Sequence, residues 1–291
     1  MSELSLRASG QPVTAIQGSC DTHLHFYDHA FPASSTALLH PPDATPHEYR
    51  EVQRLLGLDR LVIVQPTTYG LDNSCQLDAL ASFGGAARGV MVVDSSTPVA
   101  ELSRLTDLGV CGARFHMLSG GAVPWSMLDD VAARIAPFGW HIQVQLNGRE
   151  LAGRREQLLA LPVDVVIDHV GRFMPPVDVG DPNFAALVDI AQSGHGWVKL
   201  SAPYESSTEP VTDSAQDHGD LDPLLDALVE SAPDRLLWAS NWPHPGQPKQ
   251  PSPATLATQL ERWVPDAHAR HRILVDNPDQ LYFNDTLARR Y

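Results

Sequence analysis

Basic side chains are scarce in this chain: 20 Lys and Arg stand against 35 Asp and Glu, a formal net charge of −15. No basic cluster offsets that balance, which excludes a nucleic-acid partner held by its phosphates. Cysteine is scarce too. Cys20, Cys75 and Cys111 are odd in number, far apart and in no C-x-x-C pair, so they read as reduced thiols of a cytoplasmic protein. No apolar run reaches the roughly 18 residues that a membrane span needs. Residues 1–12 are polar and carry no apolar stretch of a secretory signal. Neither a G-x-x-x-x-G-K-[ST] phosphate loop nor a G-x-S-x-G nucleophile turn is present. What remains is a 291-residue chain with 43% hydrophobic residues, enough for one large α/β domain. Residues 1–291 are expected to form that single domain, with 1–17 a flexible N-terminal segment.

Eight short runs rich in aliphatic and β-branched residues read as strands, at 20–25, 61–65, 90–94, 111–116, 142–146, 164–169, 197–201 and 236–241. Helical patterns fall between most of them. The clearest is 46–56, which opens after Thr45 and closes at Gly57. Others run over 77–83, 98–108, 125–138, 150–159, 183–192, 221–231, 253–264 and 265–274. Eight strands alternating with helices are the pattern of a single (β/α)8 TIM barrel, whose active site lies at the C-terminal ends of the strands. A doubly wound sheet is the alternative. The connections at 26–45 and 203–220 are long enough to form lids.

Strand polarity narrows the reading. In Cys20-Asp21-Thr22-His23-Leu24-His25, alternate side chains share a face, so Asp21, His23 and His25 point one way. In the fourth strand Gly112, Arg114 and His116 share a face, in the fifth His141, Gln143 and Gln145, and in the seventh Trp197, Lys199 and Ser201. His169 is expected to end the face of Val165 and Ile167, and Asn241 that of Leu237 and Ala239. The apolar sets must face the helices. The polar sets then line the lumen and thicken toward its top, where unpaired burial would be costly and a solvated pocket is the simplest account.

CDTHLH at 20–25, IDHVGR at 167–172, WASNWPHP at 238–245 and DNPDQLYF at 276–283 follow one another in this order. They resemble the amidohydrolase superfamily, and within it the branch of metal-independent lactonases and lactone isomerases. SGGAV at 119–123, YESS at 204–207 and SNWPHP at 240–245 look most like the galactarolactone isomerase group; pyrone dicarboxylate lactonases look like more distant relatives. The resemblance implies a (β/α)8 barrel and chemistry on a small carboxylated lactone, by isomerisation or by hydrolysis. It places His23, His25, His169, Asn241 and His244 in the catalytic centre.

Metal-dependent members add a fifth-strand ligand and an eighth-strand Asp to the H-x-H pair. Here the fifth strand ends in Gln145 and Leu146, and Asn stands at 241. An amide is a poor ligand and no general base near neutral pH, so no cofactor is expected, although His23, His25 and His169 are a possible Zn²⁺ set with an open position. Without a metal, the histidines and Asn241 would stabilise the oxyanion and His244 would carry a proton. In the hydrolytic relatives an Asp at the Asn241 position is thought to activate water; its loss favours an internal hydroxyl as the attacking group.

Arg114 and Arg172 are expected to grip substrate carboxylate, since a guanidinium fork matches it. The plainer readings are a buried bridge from Arg114 to Asp94 or Asp168, a surface ion pair for Arg172, a core role for His169 and a loop role for His244. Gln145, Tyr204, Tyr69 and Asn73 complete the expected substrate contacts, with Gln65 and Thr67 placed to meet hydroxyl groups. The partner is then a small carboxylated molecule, with self-association possible. A zinc-dependent amidohydrolase or decarboxylase of the same superfamily, and a non-catalytic sugar-acid binding barrel, are the competing classes.

Overall fold

The computed structural model describes residues 16–209 and 218–284. Its centre is one eight-stranded parallel sheet in the order β1 to β8. The strands are β1 (Cys20–Leu24), β2 (Arg60–Val64), β3 (Ala87–Met91), β4 (Val110–His116), β5 (His141–Gln145), β6 (Val165–Ile167), β7 (Gly196–Leu200) and β8 (Leu236–Trp238). Around them lie α1 (Pro46–Leu56), α2 (Ser74–Phe83), α3 (Val99–Asp107), α4 (Leu128–Ile135), α5 (Leu151–Leu159), α6 (Pro182–Gln192), α7 (Asp222–Ser231), α8 (Pro253–Trp263) and the short α9 (Ala267–His271). This is the single (β/α)8 barrel that the alternation of elements predicts. Among the described residues no helix is long and apolar enough to cross a membrane.

Local signals account for the elements. Thr45 caps α1 in a capping box with Glu48, Pro46 starts the helix, and Gly57 ends it at φ 71°. β2 reads RLVIV and is buried from Leu61 onward, as a strand covered on both faces requires. One apolar layer fills the space between sheet and helices. A second, with Val62, Val64, Val90, Val166, Trp197 and Leu237, fills the lower lumen, where Tyr282 joins it from the C-terminal helical turn. The lumen is therefore apolar below and polar above.

The seam between β8 and β1 is closed by the chain just past β8. The Asn241 amide donates to the His23 carbonyl, and the His25 amide donates to the Trp242 carbonyl, each at 2.9 Å. Asp21 ties the same seam, accepting from the Ser240 amide at 2.9 Å, the Ser240 hydroxyl, the His23 amide at 3.2 Å and the Tyr49 hydroxyl at 2.9 Å. Barrel closure thus sets Asn241 against the H-x-H strand.

Several expected boundaries move. β3 lies three residues earlier than the apolar run suggests, because Asp94 turns the chain by accepting from Ser96 and Thr97. The 125–138 helix is interrupted, with α4 flanked by tighter turns at Trp125–Met127 and Ala136–Phe138; Pro137 sits in the second turn, where a continuing α-helix would need its amide. β6 and β8 are three residues each, so His169 and Asn241 are not strand residues. The lumen face of β6 carries Val166, while Val165 and Ile167 pack outward. The connection after β1 is pinned by mutual amide–carbonyl bonds between Tyr27 and Ala44. Of the second long connection, 210–217 lie outside the described residues.

Candidate active site

His169 and Asn241 enter the lumen from turns in the left-handed region, at φ 54° and 59°. His169, Val170 and Arg172 after β6, and Asn241 and His244 after β8, are five of the seven non-glycine residues at positive φ among the described residues. For a β-branched residue such as Val170 that conformation is an outlier. Local backbone strain of this kind collects where side chains must be aimed at a site.

His23 and His25 meet at the centre, with their Nε2 atoms 3.2 Å apart. The His25 Nδ1–H donates to the Val64 carbonyl at 2.7 Å, so His25 Nε2 carries a lone pair. Asp168 Oδ1 lies 3.2 Å from His23 Nδ1, and a carboxylate there favours the Nδ1–H form. This tautomer is assigned from the bonding partners. His23 Nδ1 also has two donors near it, Gln143 Nε2 at 3.3 Å and Lys199 Nζ at 3.4 Å; in the tautomer they favour, His23 Nε2–H donates to the His25 Nε2 lone pair. His169 packs on His23 with ring centroids 4.8 Å apart, its Nδ1 bonded to the Ser201 hydroxyl at 2.8 Å.

Beneath them Lys199 is fully buried. It donates to the Thr22 carbonyl and to Gln143 Oε1, both at 2.7 Å, and lies 3.7 Å from Asp168. The Gln143 amide donates in turn to Asp168 Oδ2 at 3.1 Å. Burial lowers the Lys199 pKa to about 8 and pushes His23 and His169 well below the usual histidine value. The imidazoles are therefore neutral near pH 7.

A second chain of contacts crosses the site. Asn241 Nδ2 donates to the Tyr204 hydroxyl at 2.8 Å, and that hydroxyl donates to His244 Nδ1 at 3.0 Å. Asn241 Oδ1 is buried and has no partner among the described residues. Arg114, 4% exposed, donates from Nη1 to the Gln65 carbonyl at 2.6 Å and from Nη2 to Gln145 Oε1 at 2.7 Å. His116 Nδ1 reaches the same Gln145 oxygen at 3.2 Å. Among the described residues no carboxylate lies within ion-pair distance of Arg114, and its Nε has no partner. The bridge to Asp94 or Asp168 is therefore not formed.

Other expected contacts are otherwise engaged. Arg172 Nε donates to Glu205 at 2.7 Å, both half-buried. The Tyr69 hydroxyl accepts from the Asp28 amide at 3.0 Å. Both ends of the Asn73 amide bond the Val92 backbone, at 2.8 and 3.0 Å. Tyr69 and Asn73 thus brace loops. Asp168 is missing from the expected set although it touches His23. Its signal was the face it shares with Val166, masked by reading the strand through to His169. Lys199, Gln143 and Ser201 were legible as lumen-facing, but their bonds to one another were not.

Burial also lowers the pKa of His25, His116, His141 and His244 to about 3 each. In the unfolded chain they titrate near 6.5, so only the unfolded state takes protons between pH 6.5 and about 3. These four histidines accordingly leave stability unchanged above pH 6.5 and lower it as pH drops below, with about 1.4 kcal/mol per pH unit for each proton taken up. Urea midpoints at pH 7.5, 6.5, 5.5 and 4.5 should be level over the first pair and decline by more than one proton's slope below. A level profile down to pH 4.5 would show that these imidazoles are accessible to protons in the folded state.

The architecture defines a (β/α)8 barrel with a buried histidine and arginine centre at the C-terminal ends of its strands. The chain belongs to the amidohydrolase family, whose profile matches residues 20–283. It is 35% identical to D-galactarolactone isomerase of Agrobacterium fabrum over 289 residues, covering 97% of each protein. It is 34% identical to 2-pyrone-4,6-dicarboxylate hydrolase of Comamonas testosteroni over 275 residues, covering 91% of this chain and 90% of that one. An apo crystal structure of an Agrobacterium tumefaciens protein superposes with a TM-score of 0.87 at 34% identity, covering 94% of this chain and 98% of that one.

Proposed function

We propose that this chain is an enzyme that performs acyl-transfer ring chemistry on a small carboxylated lactone, and that it isomerises the ring in preference to hydrolysing it. The observation that carries the reading is Arg114: a buried guanidinium with no carboxylate within ion-pair distance among the described residues, beside neutral imidazoles. A buried cation without a partner is costly, and a substrate carboxylate supplies the missing charge. The relatives named above act on a galactarolactone and on a pyrone dicarboxylate, substrates that fit that demand.

The steps follow from the contacts. Arg114 binds the carboxylate and sets the lactone carbonyl over the histidines. Asn241 Oδ1, without a partner among the described residues, accepts the hydrogen of the substrate hydroxyl and aims its oxygen. As that oxygen bonds to the carbonyl carbon, its proton passes to an Nε2 lone pair of the His23–His25 pair. The same proton then goes to the ring oxygen as the old ester bond breaks. Atoms and charge balance without water. Asn241 supports isomerisation because an amide cannot deprotonate water, whereas an internal hydroxyl has a high effective concentration. Arg172, paired with Glu205, borders the site, and Tyr204 with His244 holds Asn241 in place. A reducing cytoplasmic setting accords with the free thiols of Cys20, Cys75 and Cys111.

The expected zinc set of His23, His25 and His169 does not come together as one group; among the described residues, the buried donors that lie within reach of a single ion are His23, Asp168 and His169. Those three residues would hold the ion, which would supply Lewis acidity at the carbonyl. The test is turnover of a panel of carboxylated lactones in ¹⁸O water, with metal analysis before and after chelation. Ring rearrangement without ¹⁸O uptake is expected. Rapid ¹⁸O uptake would replace isomerisation by hydrolysis, absence of any turnover would overturn the enzymatic reading, and chelator-sensitive turnover with one zinc per chain would make the histidines ligands.

A further inference from the structure

We infer that Gln65 and Arg114 form a subsite for one substrate hydroxyl, carried on the carbon next to the carboxylate that Arg114 binds. The inference rests on the carboxylate reading above and extends it to specificity.

A small cavity of about 10 Å³ lies beside Arg114, lined by Gln65, Thr67, Arg114, His116 and Val123 among others. That is close to the space one water or one hydroxyl needs. Gln65 is fully buried. Its Nε2 donates to the Gly70 carbonyl at 3.2 Å and the Asp72 carbonyl at 2.8 Å. Two carbonyl acceptors fix the amide orientation, so the free end is the oxygen. Gln65 Oε1 is buried and has no partner among the described residues, and neither has Arg114 Nε.

Both residues line this cavity, and each carries a buried polar atom without a partner among the described residues, one an acceptor and one a donor. A carboxylate oxygen only accepts and would be repelled by Gln65 Oε1. An alkyl group would leave both atoms bare. A hydroxyl accepts from Arg114 Nε–H and donates to Gln65 Oε1, satisfying both. With Nη1 and Nη2 each spending one N–H on the protein, the second N–H of each is left for the carboxylate. Carboxylate and neighbouring hydroxyl are then read together, which selects an α-hydroxy acid end over an unsubstituted one.

Tartrate and succinate share a four-carbon dicarboxylate skeleton and differ in the hydroxyls. By calorimetric titration, the wild-type protein should bind tartrate about tenfold more tightly than succinate, or better, because succinate leaves two buried polar atoms unpaired. Gln65→Met, similar in shape but without the acceptor, should bring the ratio near one. A role confined to bracing the 66–73 turn would instead weaken both ligands and keep their ratio. Equal wild-type affinities would overturn the subsite and leave the carboxylate reading standing; they would mean that the cavity holds a structural water only. Failure of both ligands to bind would overturn the carboxylate reading and the subsite with it.

Discussion

Replacing Arg114 by Met is expected to lower kcat/KM by about three orders of magnitude, chiefly through KM, while leaving thermal stability nearly unchanged. Losing the charged partner of a bound carboxylate costs roughly 2–5 kcal/mol when the pair is buried, which is the size of that fall. The stability expectation has a separate origin. In the free protein the guanidinium is buried without a counter-ion among the described residues, so its removal relieves a desolvation cost. Its removal also strands the Gln65 carbonyl and leaves Gln145 Oε1 with His116 alone, at about 1–3 kcal/mol for each buried group left unsatisfied. The two effects oppose each other, and the melting temperature should move by only a few degrees. Steady-state kinetics on the preferred lactone, with a melting curve, separates the outcomes. A large drop in melting temperature with KM unchanged would make Arg114 a structural cation and remove the carboxylate site.

The asymmetry in what could be read beforehand follows from how side chains reach this lumen. Period-two alternation places Asp21 and His23, and likewise Arg114, Gln143, Gln145 and Lys199, because these positions lie in β1, β4, β5 and β7, and His25 follows directly on β1. His169 and Asn241 reach the same lumen by left-handed turns. Nothing in the local pattern marks such a turn when the residue is not glycine. Extending β6 to His169 therefore assigned the wrong face to Val165 and Ile167 and left out Asp168. Hydrogen-bond partners separated by many residues were equally hidden. Arg172 with Glu205, Asn73 with Val92 and Tyr69 with Asp28 depend on how loops meet, and no spacing rule reports that. Strand alternation brings His169 and Asn241 to the top of the lumen only by extending β6 and β8 beyond their three residues, and the family motifs point to the same two residues.

Asn241→Asp bears on the division between moving a ring and opening it. Asp tolerates the left-handed backbone that Asn occupies at φ 59°, so the turn and its bond to the His23 carbonyl should persist. The change removes the Nδ2 donor to Tyr204. The Tyr204 hydroxyl can turn from His244 to the new carboxylate, which leaves that carboxylate one oxygen for water. Burial raises a carboxyl pKa toward neutrality, and a base poised there is worth about 10²–10⁴ in rate. Incorporation of ¹⁸O from solvent into product should therefore rise by at least about tenfold, with isomerisation falling by a similar factor. The pH dependence has a definite sign. Only the ionised carboxylate takes a proton from water, so hydrolysis by the variant should climb with pH through its pKa and then level. Isomerisation by the wild-type protein should stay flat from pH 6 to 7, because burial holds His25 and His244 near 3 and Lys199 titrates only at about 8. Loss of both activities in a folded variant, with no ¹⁸O uptake, would show that the residue at 241 does not decide between water and hydroxyl. The base would then have to be sought in the His23–His25 pair alone.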